Sequence, residues 1–77
     1  MADVVIPEEI VGEGAEGAIS IWLFRDGETV AVGDVLAEVM NEKAAAELVA
    51  PAAGRLKILV QTEMPVRMGQ VVARIES

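Results

Sequence analysis

Apolar and polar residues alternate along two stretches of the chain with the two-residue period of a half-buried β-strand. In the first, Ile19, Ile21 and Leu23 share one face against Ser20, Trp22 and Phe24; in the second, Leu56, Ile58 and Val60 share one face against Lys57, Leu59 and Gln61. Glycines and prolines interrupt the rest of the chain so often that most segments between them hold only a few residues, which predicts short strands joined by tight turns.

The two runs are copies of one pattern. Placing Gly17 on Gly54, 37 residues on, puts Ile19, Ile21 and Leu23 on Leu56, Ile58 and Val60. After a one-residue gap, a spacing of 36 puts Val30, Val32, Gly33, Val35, Leu36 and Val39 on Val66, Met68, Gly69, Val71, Val72 and Ile75. Each copy reads as strand, polar turn (Asp26-Gly27-Glu28 or Glu63-Met64-Pro65), short strand, glycine turn and strand. Neither half can bury its apolar face alone, so the pattern predicts two small sheets packed face to face about a pseudo-twofold axis. Ile19, Ile21, Leu23, Leu56, Ile58 and Val60 are the expected shared core.

One stretch pulls the other way. Leu36 to Ala50 reads LAEVMNEKAAAELVA, rich in good helix formers. Yet Val35 to Val39 lies inside the repeat, whose second copy, Val71 to Ile75, is β-like. Asn41 is also a favoured first residue of a type I turn. Residue physics leaves helix and hairpin both open and favours the hairpin, with Asn41-Glu42-Lys43-Ala44 at its tip.

Composition supports strands: twelve valines and six isoleucines dominate the large apolar set, and β-branched side chains suit a pleated surface. A chain of 77 residues is expected to form a single domain, residues 1–77. Without cysteine or histidine it has no disulfide, thiol nucleophile, imidazole base or Cys/His metal site, so hydrolytic triads are excluded. A net charge of −7 argues against nucleic acid or an anionic membrane as partner. Met1 to Ile10 shows no basic segment followed by an apolar core, so no secretory signal is expected, and a cytoplasmic setting suits the composition.

Few residues are placed to do chemistry. Gly12, Gly14 and Gly17 spell G-x-G-x-x-G, but a strand pattern follows where a dinucleotide fold needs a helix, and Glu13 and Glu16 would repel a pyrophosphate. A flexible surface loop between the first two strands is the simpler reading. The acids are scattered singly and match no calcium loop. Of the two lysines, Lys57 sits on an alternating strand as an outward charge, whereas Lys43 occupies the expected hairpin tip, far from both termini. From the residues alone, Lys43 is either a solubilising charge or a presented amine.

The segment Gly33-Asp34-Val35-Leu36-Ala37-Glu38-Val39-Met40-Asn41-Glu42-Lys43-Ala44, with Glu47 and Ala50-Pro51, resembles the attachment region of biotinyl/lipoyl carrier domains. Glu16 to Leu23, Asp26 to Val30, Gly54 to Leu56 and Val66 to Val72 extend the likeness over nearly the whole chain. The resemblance implies an all-β fold, a flattened β-barrel or sandwich of two four-stranded sheets with quasi-twofold symmetry and the attachment lysine on a hairpin tip. It is closest to the lipoyl domain of a 2-oxo acid dehydrogenase complex acyltransferase. Lipoyl domains usually have an acidic residue before the lysine and alanine after it, as in Glu42-Lys43-Ala44, whereas biotinyl domains bracket it with methionines. Here Asn41-Glu42 replaces the usual Thr-Asp, and Met40 stands where an acid is common.

On that resemblance Lys43 carries covalent lipoic acid as a swinging arm, with Asn41, Glu42 and Ala44 as turn and recognition neighbours. The domain itself is then a non-catalytic carrier, within or beside a dihydrolipoyl acyltransferase, shuttling acyl groups derived from a 2-oxo acid or acetoin. The implied partners are a lipoate ligase or lipoyl transferase, a thiamine-dependent 2-oxo acid decarboxylase, the acyltransferase core and dihydrolipoamide dehydrogenase. The mitochondrial matrix is the alternative location if the chain derives from a larger organellar protein. Two other functions stay open: a biotin carboxyl carrier with biotin on Lys43, and an unmodified binding or assembly module.

Overall fold

The computed structural model describes residues 2–12, 14–42 and 44–77. Eight strands form in chain order: β1 (Ala2–Val5), β2 (Gly17–Trp22), β3 (Thr29–Val30), β4 (Val35–Met40), β5 (Ala45–Val49), β6 (Gly54–Ile58), β7 (Pro65–Val66) and β8 (Val71–Glu76). They build two four-stranded antiparallel sheets, ordered β1-β8-β6-β3 and β5-β4-β2-β7. No helix among the described residues is long and apolar enough to cross a membrane. The helix-forming composition of Leu36 to Ala50 is overridden because the inward residues Leu36, Ala37, Val39 and Leu48 are buried only when that stretch folds as a hairpin.

A pseudo-twofold relates the sheets, carrying β2, β3 and β4 onto β6, β7 and β8, and β5 onto β1. The correspondence reaches individual hydrogen bonds. Gly33 N–H donates to Ala50 O at 2.9 Å and Ala50 N–H to Asp34 O at 2.8 Å; their counterparts are Gly69 N–H to Ile6 O at 2.8 Å and Ile6 N–H to Gln70 O at 3.0 Å. In the matching turns, Asp34 Oδ2 accepts the Ala31 N–H at 2.8 Å and Gln70 Oε1 accepts the Arg67 N–H at 3.0 Å. Register shifts fall at equivalent places in the β4–β5 and β1–β8 pairs, next to Leu36 and Val72.

The core lies between the sheets. Ile19, Leu36, Leu56, Val66, Val72 and Ile75 are essentially inaccessible to solvent, and no polar side chain among the described residues is buried. Burying each such aliphatic side chain stabilises the fold by about 1.5–3 kcal/mol, the main compensation for a short chain without disulfides.

The expected core needs correction at β2. Ile21 and Leu23 are 51% and 54% exposed, while Trp22 and Phe24 pack against the core. The cause is a β-bulge: Ile19 opposes Val39 but Ile21 opposes Glu38, so Ser20 is an extra residue in β2. β6 has no such insertion, running Leu56, Lys57 and Ile58 against Ile75, Arg74 and Ala73. The one-residue gap in the repeat therefore falls at Ser20 rather than after Leu23. Trp22 corresponds to Ile58 and Phe24 to Val60, both half-buried against the core. The bulge also lets the Trp22 indole N–H donate to Val60 O at 3.0 Å.

Candidate functional site

The β4–β5 hairpin pairs Val39 with Ala46 and Met40 with Ala45, leaving residues 41–44 to connect the strands. Lys43, the expected attachment residue, lies outside the described residues. Its neighbours define the local frame. Asn41 N–H donates to Ala44 O at 2.9 Å, and the Ala44 N–H donates to Asn41 Oδ1 at 2.9 Å. The asparagine side chain thus closes the turn in place of a backbone carbonyl.

The other end of that amide reaches a different element. Asn41 Nδ2 donates to Ile10 O at 2.8 Å, tying the hairpin end to the β1–β2 loop. An aspartate would close the turn but could not donate to Ile10, so the amide is suited to both tasks. Asn41, expected as a turn and recognition neighbour, is half-buried and holds the turn, while Glu42 and Ala44 are exposed.

The loop is itself anchored. Pro7 O accepts the N–H groups of Ile10 and Val11, and both of those side chains are buried. The surface-loop expectation fits Gly12 and Gly14, around which there is open space, but not Gly17, which begins β2. A Cβ on Gly17 would meet Met40 O and Val11 Cγ2 at 2.8 Å each, so a side chain there would force apart the loop, β2 and the end of β4. Arg67 adds an exposed ion pair to Glu16 at 2.8 Å, linking the loop to the β7–β8 turn.

Between loop and hairpin lies an open cleft of about 340 Å³ lined by Ala15, Glu16, Asn41 and Glu42. Its described lining carries the carboxylates of Glu16 and Glu42, and no group of carboxylates among the described residues could hold a metal ion. Among the described residues no nucleophile–base pair is assembled here. The arrangement can display a short turn on a rigid support, with exposed Glu42 and Ala44 as its surface. Lys57 stands exposed on β6, opposite Arg74, as expected of an outward charge. The sequence reading missed Ile10 and Val11 as the seat of the turn; two adjacent large apolar residues just before the glycine run were the available signal.

Comparison with known proteins agrees with this geometry. The biotin/lipoyl family model, described as biotin-requiring enzyme, matches residues 3–75. The dihydrolipoyllysine-residue acetyltransferase component of the pyruvate dehydrogenase complex from Staphylococcus epidermidis is 36% identical over 69 residues, covering 87% of this chain and 16% of the relative. Its Staphylococcus aureus counterpart is 35% identical over the same length and the same shares of each chain. This chain thus spans about a sixth of the length of those relatives. Among solved structures, the lipoyl domain of the 2-oxoglutarate dehydrogenase complex from Azotobacter vinelandii superposes with a TM-score of 0.78, at 20% identity, covering 100% of this chain and 98% of that one.

Proposed function

This chain belongs to the biotin/lipoyl attachment family, and we propose that within it residues 1–77 act as one lipoyl carrier domain with lipoate amide-linked to Nζ of Lys43. The observation that carries this reading is the tight β4–β5 hairpin, whose four-residue connection contains Lys43 in sequence and is fastened by Asn41 to both Ala44 and Ile10. The local chemistry suits that group: the flanking residues Glu42 and Ala44 are exposed, and the adjoining cleft is open. When attached, lipoate supplies a dithiolane that takes up and releases an acyl group. The protein's own part is mechanical. A sandwich with a dry apolar core holds the hairpin rigid, Asn41 fixes the turn, and Glu42 and Ala44 form the surface that a modifying enzyme reads. Anchoring the arm to the body keeps its effective concentration high at each active site it reaches.

The relatives named above belong to pyruvate dehydrogenase complexes. By analogy, the partners of this domain are a lipoate ligase or lipoyl transferase, a thiamine-dependent 2-oxo acid decarboxylase, an acyltransferase core and dihydrolipoamide dehydrogenase, in a cytoplasmic setting. Glu42 before the lysine and Ala44 after it favour lipoate over biotin. The test is intact mass and peptide mapping after co-expression with a lipoate ligase and lipoate. One lipoyl group on Lys43, absent from Lys43→Ala, is the expected result. Modification at Lys57, or biotinylation without lipoylation under matched conditions, overturns it.

A further inference from the structure

The pseudo-twofold supplies an internal comparison between the two outer faces of the sandwich. On one sheet, Ala18 opposes Met40 and Ile21 opposes Glu38, with Glu47 next across on β5. At the equivalent register positions of the other sheet, Arg55 opposes Glu76 and Lys57 opposes Arg74, with Asp3 next across on β1. Apart from the bulge at Ser20 the strand pairing is equivalent, and the other sheet carries charged residues at these outward positions, so folding of such a sheet does not require apolar residues there. Even so, Ile21 is 51% and Met40 45% exposed.

The charges differ as sharply. Arg74 Nε pairs with Asp3 Oδ1 at 3.4 Å, whereas Glu38 and Glu47 are direct cross-strand neighbours of like charge, an unfavourable arrangement. Among the described residues, neither of these glutamates forms an ion pair. Glu38 is steadied by Ser20, whose hydroxyl donates to its Oε1 at 3.0 Å. The result is a carboxylate pair set among exposed apolar side chains. Met40, at one end of this patch, is joined directly to Asn41 of the hairpin turn.

We infer that the outer face of the β5-β4-β2-β7 sheet is the docking surface for the acyl-donating enzyme. That enzyme presents a cationic side chain to the Glu38–Glu47 pair, with apolar groups covering Ile21 and Met40. Charge complementarity selects a basic partner surface. Continuity of the patch with the hairpin turn selects a partner that must reach that turn. The inference rests on the carrier reading above.

The test uses the lipoylated chain and the thiamine-dependent component of the Staphylococcus epidermidis pyruvate dehydrogenase complex with pyruvate. Wild type is compared with Ile21→Lys/Glu38→Arg, with Glu47→Lys, and with the opposite-face variant Lys57→Ile/Arg74→Glu. Both changes on the β5-β4-β2-β7 face should raise the KM for the domain about tenfold or more while leaving kcat within about twofold, and the opposite-face variant should change KM less than about twofold. Glu47→Lys, on an edge strand and removing a like-charge pair, guards against loss through misfolding. Equal effects from the two faces, no effect from Glu47→Lys, no acylation of the lipoylated wild type, or a wild-type dimer by sedimentation that these changes dissociate would overturn the docking inference. A chain that gains no lipoyl mass overturns the carrier reading, and the docking inference with it.

Discussion

Gly27 and Glu63 occupy the same place in the two halves of the protein. Gly27 has φ +89° and donates its N–H to Leu56 O at 2.7 Å; Glu63 has φ +69° and donates its N–H to Ile19 O at 2.9 Å. Each bond ties the turn after one half's first strand to the first strand of the other half. Glu63 is the single non-glycine residue with positive φ among those described, and its backbone conformation is the one its counterpart adopts as glycine.

That relationship predicts opposite effects for two exchanges. A left-handed conformation costs a residue with a Cβ about 1–2 kcal/mol, partly offset by the greater freedom of glycine in the unfolded chain. Gly27→Ala, with open space around its Cβ position, should therefore destabilise by about 1 kcal/mol. Glu63→Gly should stabilise by about 0.5 kcal/mol. Urea titrations of both variants measure the pair.

Ser20 predicts which side chains of β2 matter. Ile19→Ala and Leu56→Ala should each cost about 2–5 kcal/mol, because both leave cavities in a sealed core. Ile21→Ala and Leu23→Ala should cost less than about 1 kcal/mol, since the bulge turns both toward solvent. Comparable losses at Ile19 and Ile21 would contradict the register of β2 against β4.

Asn41 predicts a coupling between the hairpin turn and the β1–β2 loop. Asn41→Asp keeps the oxygen that accepts the Ala44 N–H but loses the donor to Ile10 O. It should cost about 0.5–1.5 kcal/mol and speed amide hydrogen exchange in loop residues 10–12. Asn41→Ala loses both bonds and should be worse. Exchange confined to the turn after Asn41→Asp would show that the two elements are not coupled.

Glu38 and Glu47 predict a separation of stability from partner binding. Glu47→Lys converts a like-charge cross-strand pair into an opposite-charge one and should stabilise by about 0.2–1 kcal/mol, most visibly at low salt. A thermal melt at two ionic strengths measures it.

Cofactor choice should follow the exposed neighbours of the lysine. Glu42→Met with Ala44→Met should shift modification from lipoate toward biotin when each ligase is tested at matched concentration, with an unchanged circular dichroism spectrum. Both positions are exposed, so the change alters what a ligase meets and not what the core holds.

The sequence by itself determined the strand content and the two-half repeat, because period-two alternation and β-branched residues act locally along each strand. At residues 35–49 it favoured the hairpin but left the helix open, and burial of Leu36, Ala37, Val39 and Leu48 between the sheets decided for the hairpin. The family resemblance pointed to Lys43, and the acidic-then-alanine flank was readable directly. Only the tertiary structure decided where the one-residue gap in the repeat falls. Alternation alone cannot distinguish an unbroken strand from a bulged one, since moving the gap to Ser20 sets Trp22 and Phe24 on Ile58 and Val60, apolar on apolar, as well as the later gap set Ile21 and Leu23 there. Pairing of β2 against β4 places the extra residue at Ser20, and that choice turns Trp22 and Phe24 toward the core and Ile21 and Leu23 outward. The same gap makes Glu63 the partner of Gly27, where the bare pattern set Asp26-Gly27-Glu28 against Glu63-Met64-Pro65. The double use of Asn41 was likewise out of reach of the sequence. A side-chain amide records its capacity to donate and accept, but the 31 residues between Ile10 and Asn41 are brought together only by the packing of the two sheets.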